Sequence, residues 1–356
     1  MKKNSTTGKS FYCGGRFSAL PFSLFLFPFS LIFGVIATLR RKAFQKGWLH
    51  PETFNIPTIC VGNLRVGGTG KTPFVEYLAN FLSQNHKIAI LSRGYGRKTT
   101  GYINVHETQN FSSEIIGDEP LMYAQKFPNI EVAVCENRKT GLQKLLHKNP
   151  DLDVVILDDA YQHLAVNYSL KIILTEYKRP YFKDFPLPFG NLREFRNASK
   201  YADIIIVTKC PNNLSIEEQE RFIEKLKPNQ GQEVFFTKIG YQSQISNLKS
   251  KILLITGIDN PEPLVHYLKT QCNEVHSLHF PDHHKFTKKD IQKIIRIREQ
   301  LGGDNCTVIT TEKDATRLQS FENMPSYFTI PIETVFIDNE TAIKEKFSSL
   351  LNQNNA

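Results

Sequence analysis

The chain has no closely spaced cysteines. Its six, at 13, 60, 135, 210, 272 and 306, are never nearer than 34 positions, so no CxxC pair exists and neither a zinc ribbon nor a thioredoxin-type site is written here. They read as reduced, structural thiols. Gly and Pro total 38 of 356 residues, which excludes collagen-like and largely disordered classes at an ordinary 40% apolar and 22% charged composition. No internal repeat is visible, so solenoids and propellers are excluded too. Acid is missing from one place: residues 1–50 hold eight Lys or Arg and no Asp or Glu, while the other 306 residues hold 36 bases against 35 acids. The formal charge of +9 therefore belongs to an N-terminal arm. The body has no basic excess to track a phosphate backbone, and no nucleic-acid partner is expected.

What the arm does hold is Phe17 to Leu39, 23 residues without a charge, long enough as a helix to reach across a hydrocarbon core. Basic residues balance on the two sides, Lys2, Lys3, Lys9 and Arg16 against Arg40, Arg41, Lys42 and Lys46, so charge does not orient it. Pro21 and Pro28 would kink a straight span. Ala19, Ser23, Ser30, Gly34 and Ala37 form a small-residue stripe at helical spacing, opposite Phe, Leu and Ile. That pattern favours a helix lying in the membrane surface with basic flanks on anionic headgroups. A single span and a cleaved signal peptide are the alternatives.

After the arm, β-branched runs near 56–61, 87–92, 130–134, 153–158, 171–175 and 203–208 alternate with helical segments near 72–84, 118–126, 138–148 and 215–227. This is the alternation of an α/β fold with a parallel sheet covered on both faces. A second series starts at 251–256 and runs through 313–319. The expected organisation is an arm (1–50), a P-loop-like domain (51–245) and a smaller Rossmann-like domain (246–356), with the polar cluster at 242–247 as the boundary.

The strongest motif is strand IPTICV followed by GNLRVGGTGKT (62–72) and a helix, the context of a phosphate-binding loop. Gly62, Gly67, Gly68, Thr69 and Gly70 would cradle phosphates, Lys71 would reach the β and γ groups, and Thr72 would hold Mg²⁺. Arg65 stands where the usual pattern has its first glycine. A second buried strand ends in Asp158 and Asp159, the acidic pair such a loop requires, one to ligate the metal and one to orient Thr72 or the metal's water. With no Asp after DIIIVTK in the guanine-reading position, ATP is expected rather than GTP. Val66 counts against the dimeric partitioning ATPases. Phosphoryl transfer to an alcohol needs a carboxylate for the hydroxyl proton, and Asp118 and Glu119 stand at a helix start, where Asp118 could equally be a plain N-cap. In HSLHFPDHHKFT (276–287), strand alternation sends His276 and His279 to opposite faces, which argues against zinc.

Taken together, VGNLRVGGTGKTP (61–73), LSRGYGR (91–97), GDEP (117–120), DDAYQH (158–163), LPFGNLRE (187–194), PDHH (281–284) and TTEKDA (310–315) resemble the tetraacyldisaccharide 4'-kinase family of Gram-negative bacteria. The likeness spans most of the body, and the arm looks like that family's membrane-docking helix. It implies MgATP-dependent phosphorylation of the 4'-hydroxyl of a membrane-held acylated glucosamine disaccharide 1-phosphate, at the cytoplasmic face of the inner membrane. It further implies Asp118 as general base with His283 as partner, Lys71 on the phosphates, and Asp158, Asp159, Thr72 and Glu119 on the metal side. Arg193 and Arg93 are further candidates for charge stabilisation or for binding a substrate phosphate. Ala160 and Tyr161 depart from the family's usual Gly and Phe or Leu. No obligate protein partner is inferred. The rival class is a membrane-bound nucleotide switch; a small-molecule ligase on the same loop would have no use for the arm.

Overall fold

The computed structural model describes residues 20–108, 111–242, 251–272, 274–282 and 284–352. A long helix, α1 (Leu20–Gln45), precedes a βα series. The strands are β1 (Thr58–Asn63), β2 (Ile88–Ser92), β3 (Ile103–Asn104), β4 (Glu131–Val134), β5 (Val154–Asp158), β6 (Leu170–Glu176), β7 (Ile204–Thr208) and β8 (Glu233–Tyr241). The helices among them are α2 (Lys71–Leu82), α3 (Ser113–Ile116), α4 (Asp118–Lys126), α5 (Arg138–Lys148) and α6 (Ile216–Leu226). A second series follows: β9 (Lys251–Thr256), α7 (Glu262–Gln271), β10 (Glu274–His279), α8 (Lys288–Gln300), β11 (Cys306–Thr311), α9 (Glu312–Leu318) and β12 (Tyr327–Ile330). The chain then closes with β13 (Ile332–Phe336) and α10 (Glu340–Asn352).

Nine strands form one sheet in the order β13-β8-β7-β6-β1-β5-β2-β4-β3, and four form another, β10-β9-β11-β12. Pairing is parallel except at the two ends of the large sheet, β3 on β4 and β13 on β8. Side chains alternate along each strand, so Ile59 and Val61 of β1 join the core under α2, α4 and α10, while Cys60 packs on the other face with Leu142, Leu145 and Phe222. Burial on both faces is what the continuous apolar strands require. The small sheet repeats the plan, with α8 and α9 on one face and α7 on the other.

One expected boundary needs correcting. Residues 332–352 do not stay with the small sheet: β13 pairs with β8, and Ile343, Phe347 and Leu351 of α10 lie in the large core beside Phe74 and Leu78. Helical periodicity gives no sign of which sheet a helix covers, so the return was not legible. The other crossing, at 243–250, lies outside the described residues.

Helix α1 runs through Pro28 without a break. The small-residue stripe faces the protein at Ser30 and Gly34: Ser30 Oγ donates to Pro186 O at 2.6 Å, and a Cβ on Gly34 would stand 2.4 Å from the Phe195 ring. Phe27 meets the Phe185 and Phe189 rings edge-on. Phe25, Phe29, Ile32, Ile36 and Leu39 form the opposite, exposed stripe. Among the described residues no helix is long and apolar enough to cross a membrane. The single-span alternative gains nothing from this arrangement, since α1 spends one face on the body. Nor are all the basic flanks free for headgroups: Arg41 is buried in a two-pronged pair with Glu194 at 2.7 and 2.8 Å, between the rings of Tyr161 and Tyr201. Arg40, Lys42 and Lys46 remain exposed. Ala19 and the basic residues from Lys2 to Arg16 lie outside the described residues.

Candidate active site

The phosphate loop and the acidic pair sit at the C-terminal ends of β1 and β5 of the large sheet, the end at which open α/β sheets bind ligands. Gly67 and Gly70 have φ of 107° and 85°, backbone that other residues adopt only with strain. Asn63 Nδ2 donates to Thr69 Oγ1 at 2.7 Å, and Thr208 Oγ1 donates to Thr69 O at 2.8 Å. Lys209, itself at φ 55°, bonds Gly68 O and the buried Glu176. Arg65, in place of glycine, pairs with Asp184 at 3.0 Å, while Val66 N and Leu64 O bond the 191–193 backbone. The substitution is thus accounted for: it staples the loop to the segment that carries Arg193. Gly62 lies inside β1, and a Cβ there would meet Tyr161 Cβ at 2.5 Å, so strand packing requires its smallness. The same contact is where Tyr161 is used, with Ala160 fully buried beside it.

Lys71 Nζ lies 3.5 Å from Asp159 Oδ1, and Arg193 Nη1 holds both oxygens of Asp159 at 2.8 and 3.0 Å. Burial would raise the pKa of Asp159, but Lys71 and Arg193 outweigh it and hold the carboxyl down at about 2. Asp158 has the reverse setting. It is buried, its Oδ2 takes two long bonds from Ser92 (3.4 Å) and Tyr123 (3.3 Å), and its Oδ1 has no partner. Burial, then Glu119 and Asp159, raise its pKa to about 7 against the pull of Lys71 and Arg138. Thr72 Oγ1 donates to Glu119 Oε1 at 3.3 Å. The oxygens of Thr72, Glu119 and Asp158 are hard donors with one buried lone pair unspent, which suits Mg²⁺. Among the described residues no three His, Cys, Asp or Glu form a ready-made metal group. An ion that keeps its waters and uses one or two carboxylates plus nucleotide phosphates needs none.

Asp118 opens α4, but the cap is Gly117, at φ 96°, and no side chain makes the cap bond. Capping is therefore not what the carboxylate does. Instead its Oδ2 accepts from Arg317 Nη2 and Nε at 2.5 and 3.0 Å, a contact from the small sheet that no motif announced. His283 lies outside the described residues. His284 turns away, to Asp290 Oδ2 at 3.1 Å and between the rings of Phe280 and Phe286. His279 Nδ1 meets Thr256 Oγ1 and His276 meets Glu274. Gln162 bonds Asn63 O and reaches Arg193. The pKa of His163 is lowered to about 4 by burial, then by Arg138 and Arg93; Arg93 directly follows β2 at this end of the sheet. Arg138 is a further residue that sequence reasoning missed: it is fully buried and carries Cys135 O and Asp158 O.

A glycine loop between strand and helix, a following lysine and threonine, and an acidic pair closing the adjacent strand define a P-loop nucleotide-binding protein. Within that class the chain belongs to the tetraacyldisaccharide-1-P 4'-kinase family, whose pattern it matches over residues 22–352. It is 43% identical over 325 residues to the tetraacyldisaccharide 4'-kinase of Flavobacterium johnsoniae, covering 88% of this chain and 93% of that one. It is 39% identical over 349 residues to the enzyme of that name from Bacteroides thetaiotaomicron, covering 91% and 90%. A crystal structure of Aquifex aeolicus LpxK in complex with ATP superposes with a TM-score of 0.70 at 28% identity, over 93% of this chain and 99% of that one.

Proposed function

We propose that this chain transfers the γ-phosphate of ATP to the 4'-hydroxyl of an acylated glucosamine disaccharide 1-phosphate. The observation that carries the reading is the array of Lys71, Asp159 and Arg193 at the mouth of the phosphate loop, with Thr72 and Glu119 beside it. Phosphoryl transfer is mostly a matter of placing charge around the moving group, and this array has two cations ready to leave a carboxylate for a phosphate. Mg²⁺ would be held by Thr72 and Asp158, with Asp159 and Glu119 behind it, and would supply charge neutralisation on the phosphate oxygens. Asp118 would accept the hydroxyl proton, with His283 as its partner. The exposed apolar stripe of α1 would dock on an anionic lipid surface at the cytoplasmic face, where ATP and a membrane-held acceptor meet. The arm, the nine-stranded unit and the four-stranded unit would act as distinct parts. Mass spectrometry of the disaccharide after incubation with the protein and MgATP tests the proposal: one added phosphate, dependent on both, is expected, and ATP hydrolysis with an unmodified disaccharide would overturn it.

A further inference from the structure

Arg317 reaches out of the small sheet's α9 and is almost enclosed. Two of its N–H groups meet one oxygen of Asp118, Oδ2, at 2.5 and 3.0 Å, and Oδ1 takes neither of them. Its third nitrogen, Nη1, meets Asp314 Oδ1 at 3.3 Å. Asp314 is wholly buried and fixed in turn: its Oδ2 accepts from Gly257 N at 2.9 Å and from Thr311 Oγ1 at 2.7 Å. A Cβ on Gly257 would come within 3.0 Å of Asp314 Oδ1, so the end of β9 closes directly on this anchor. The chain of contacts has a rigid foot at Asp314, an arm at Arg317 and a target at Asp118. Lys126, bridging Glu76 at 2.8 Å and Glu312 at 3.3 Å, holds the same two helices together one face away.

We infer that Arg317 is a positioning residue for Asp118: gripping Oδ2 fixes the orientation of the carboxylate that would take the acceptor hydroxyl's proton. Because Arg317 and Asp314 belong to the four-stranded unit and Asp118 to the nine-stranded one, the orientation of the base depends on how the two are seated. The inference rests on the reading of Asp118 as general base. A misaligned base lowers the rate of the chemical step without weakening nucleotide binding, because ATP meets the phosphate loop and not Arg317.

The test uses the full chain in mixed micelles with MgATP and the acylated disaccharide 1-phosphate, comparing Asp118→Asn, Arg317→Gln, Arg317→Lys and the double variant Asp118→Asn/Arg317→Gln. Arg317→Gln should lower kcat by about 10- to 100-fold with KM for ATP within about twofold. Arg317→Lys, which keeps the cation but loses the paired donors, should recover part of that loss. The double variant should be no more than about threefold slower than Asp118→Asn alone, since residues acting as one unit are non-additive. A normal kcat in Arg317→Gln, or losses that multiply in the double variant, would overturn the inference while Asp118 keeps its role. A normal rate in Asp118→Asn would overturn the base assignment and this inference with it. Should Arg317→Gln not fold, Arg317→Lys decides alone: a fall of about threefold or more supports the inference and an unchanged kcat refutes it.

Discussion

Asp158→Asn should make the ligand-free protein more stable and the enzyme almost inactive. The carboxylate is buried with Oδ1 unpaired and only long bonds at Oδ2. Burial, Glu119 and Asp159 together raise its pKa to about 7 from the ordinary 3.8. An acid whose folded pKa is raised supports stability below its unfolded pKa and loses that support as pH rises through the folded one. Wild type should therefore weaken between about pH 4 and pH 7, whereas the uncharged, isosteric amide carries no such penalty. Leaving a buried charged acceptor unpaired costs on the order of 2 kcal/mol, which for a chain of this size moves Tm by about 4 °C. The expected result is a variant that melts about 4 °C above wild type at pH 8, with the gap narrowing steadily as pH falls toward 4. MgATP should reverse the order, because an ion held as proposed would find its oxygen only in wild type, and binding to the native state adds to stability. Thermal scans from pH 5 to 8, with and without MgATP, decide it. A ligand-free variant that melts below wild type at pH 8, or a gain indifferent to pH, would refute the account of Asp158 as a strained metal-side acid.

Lys71→Ala should lower kcat on the order of 10²-fold or more while Tm stays close to wild type, because Arg193 still neutralises Asp159; normal turnover in an activity assay would reduce the loop to a structural turn. Replacing Phe29, Ile32 and Ile36 together by Ser removes three exposed side chains from one stripe, and at about 1 kcal/mol each for half-exposed groups should weaken binding to anionic vesicles roughly 10²-fold with ATP binding intact. Flotation that stays complete would mean that another surface carries the membrane contact. Glu194→Gln leaves the buried Arg41 guanidinium without its counter-charge, so a loss of about 3 kcal/mol in urea unfolding is expected, together with faster proteolysis within α1.

The βα order, the phosphate loop, the acidic pair and the helix that Asp118 opens were legible because each rests on local spacing: a glycine-rich turn before a lysine-started helix, four apolar residues before two acids. The small-residue stripe of α1 was legible for the same reason, as a periodicity. Contacts that join distant segments were not. Arg317 follows TTEKDA by two positions and looks like any charged helix residue until α9 is laid against α4, where it takes hold of Asp118. Gly62 is a glycine next to the loop, and only the fold shows that the strand continues through Asn63 with Tyr161 filling the space above it. Arg65 broke the expected pattern, and only its partner Asp184, 119 positions on, explains why an arginine is useful there. β13 returned to the large sheet because an edge strand needs a partner and β8 offered one.

The placement of Arg193 and Glu194 ties the membrane arm to the phosphate site. Arg193 grips Asp159, and its immediate neighbour Glu194 grips Arg41 of α1. The chain bends at Arg193 and Glu194, so one short stretch holds the helix with one side chain and the acidic pair with the next. Its backbone is in turn fixed to the loop, Arg193 N donating to Leu64 O at 2.7 Å and Val66 N to Asn191 O at 2.8 Å. The seat of α1, with Phe195 against Gly34 one residue further on, therefore sets the position of Arg193 through covalent connection rather than through any long relay. With the outer stripe in lipid as proposed and the inner stripe on 186–195, α1 would fix the phosphate loop at a set distance from the bilayer. A kinase acting on the membrane-held acceptor proposed above would need that distance held.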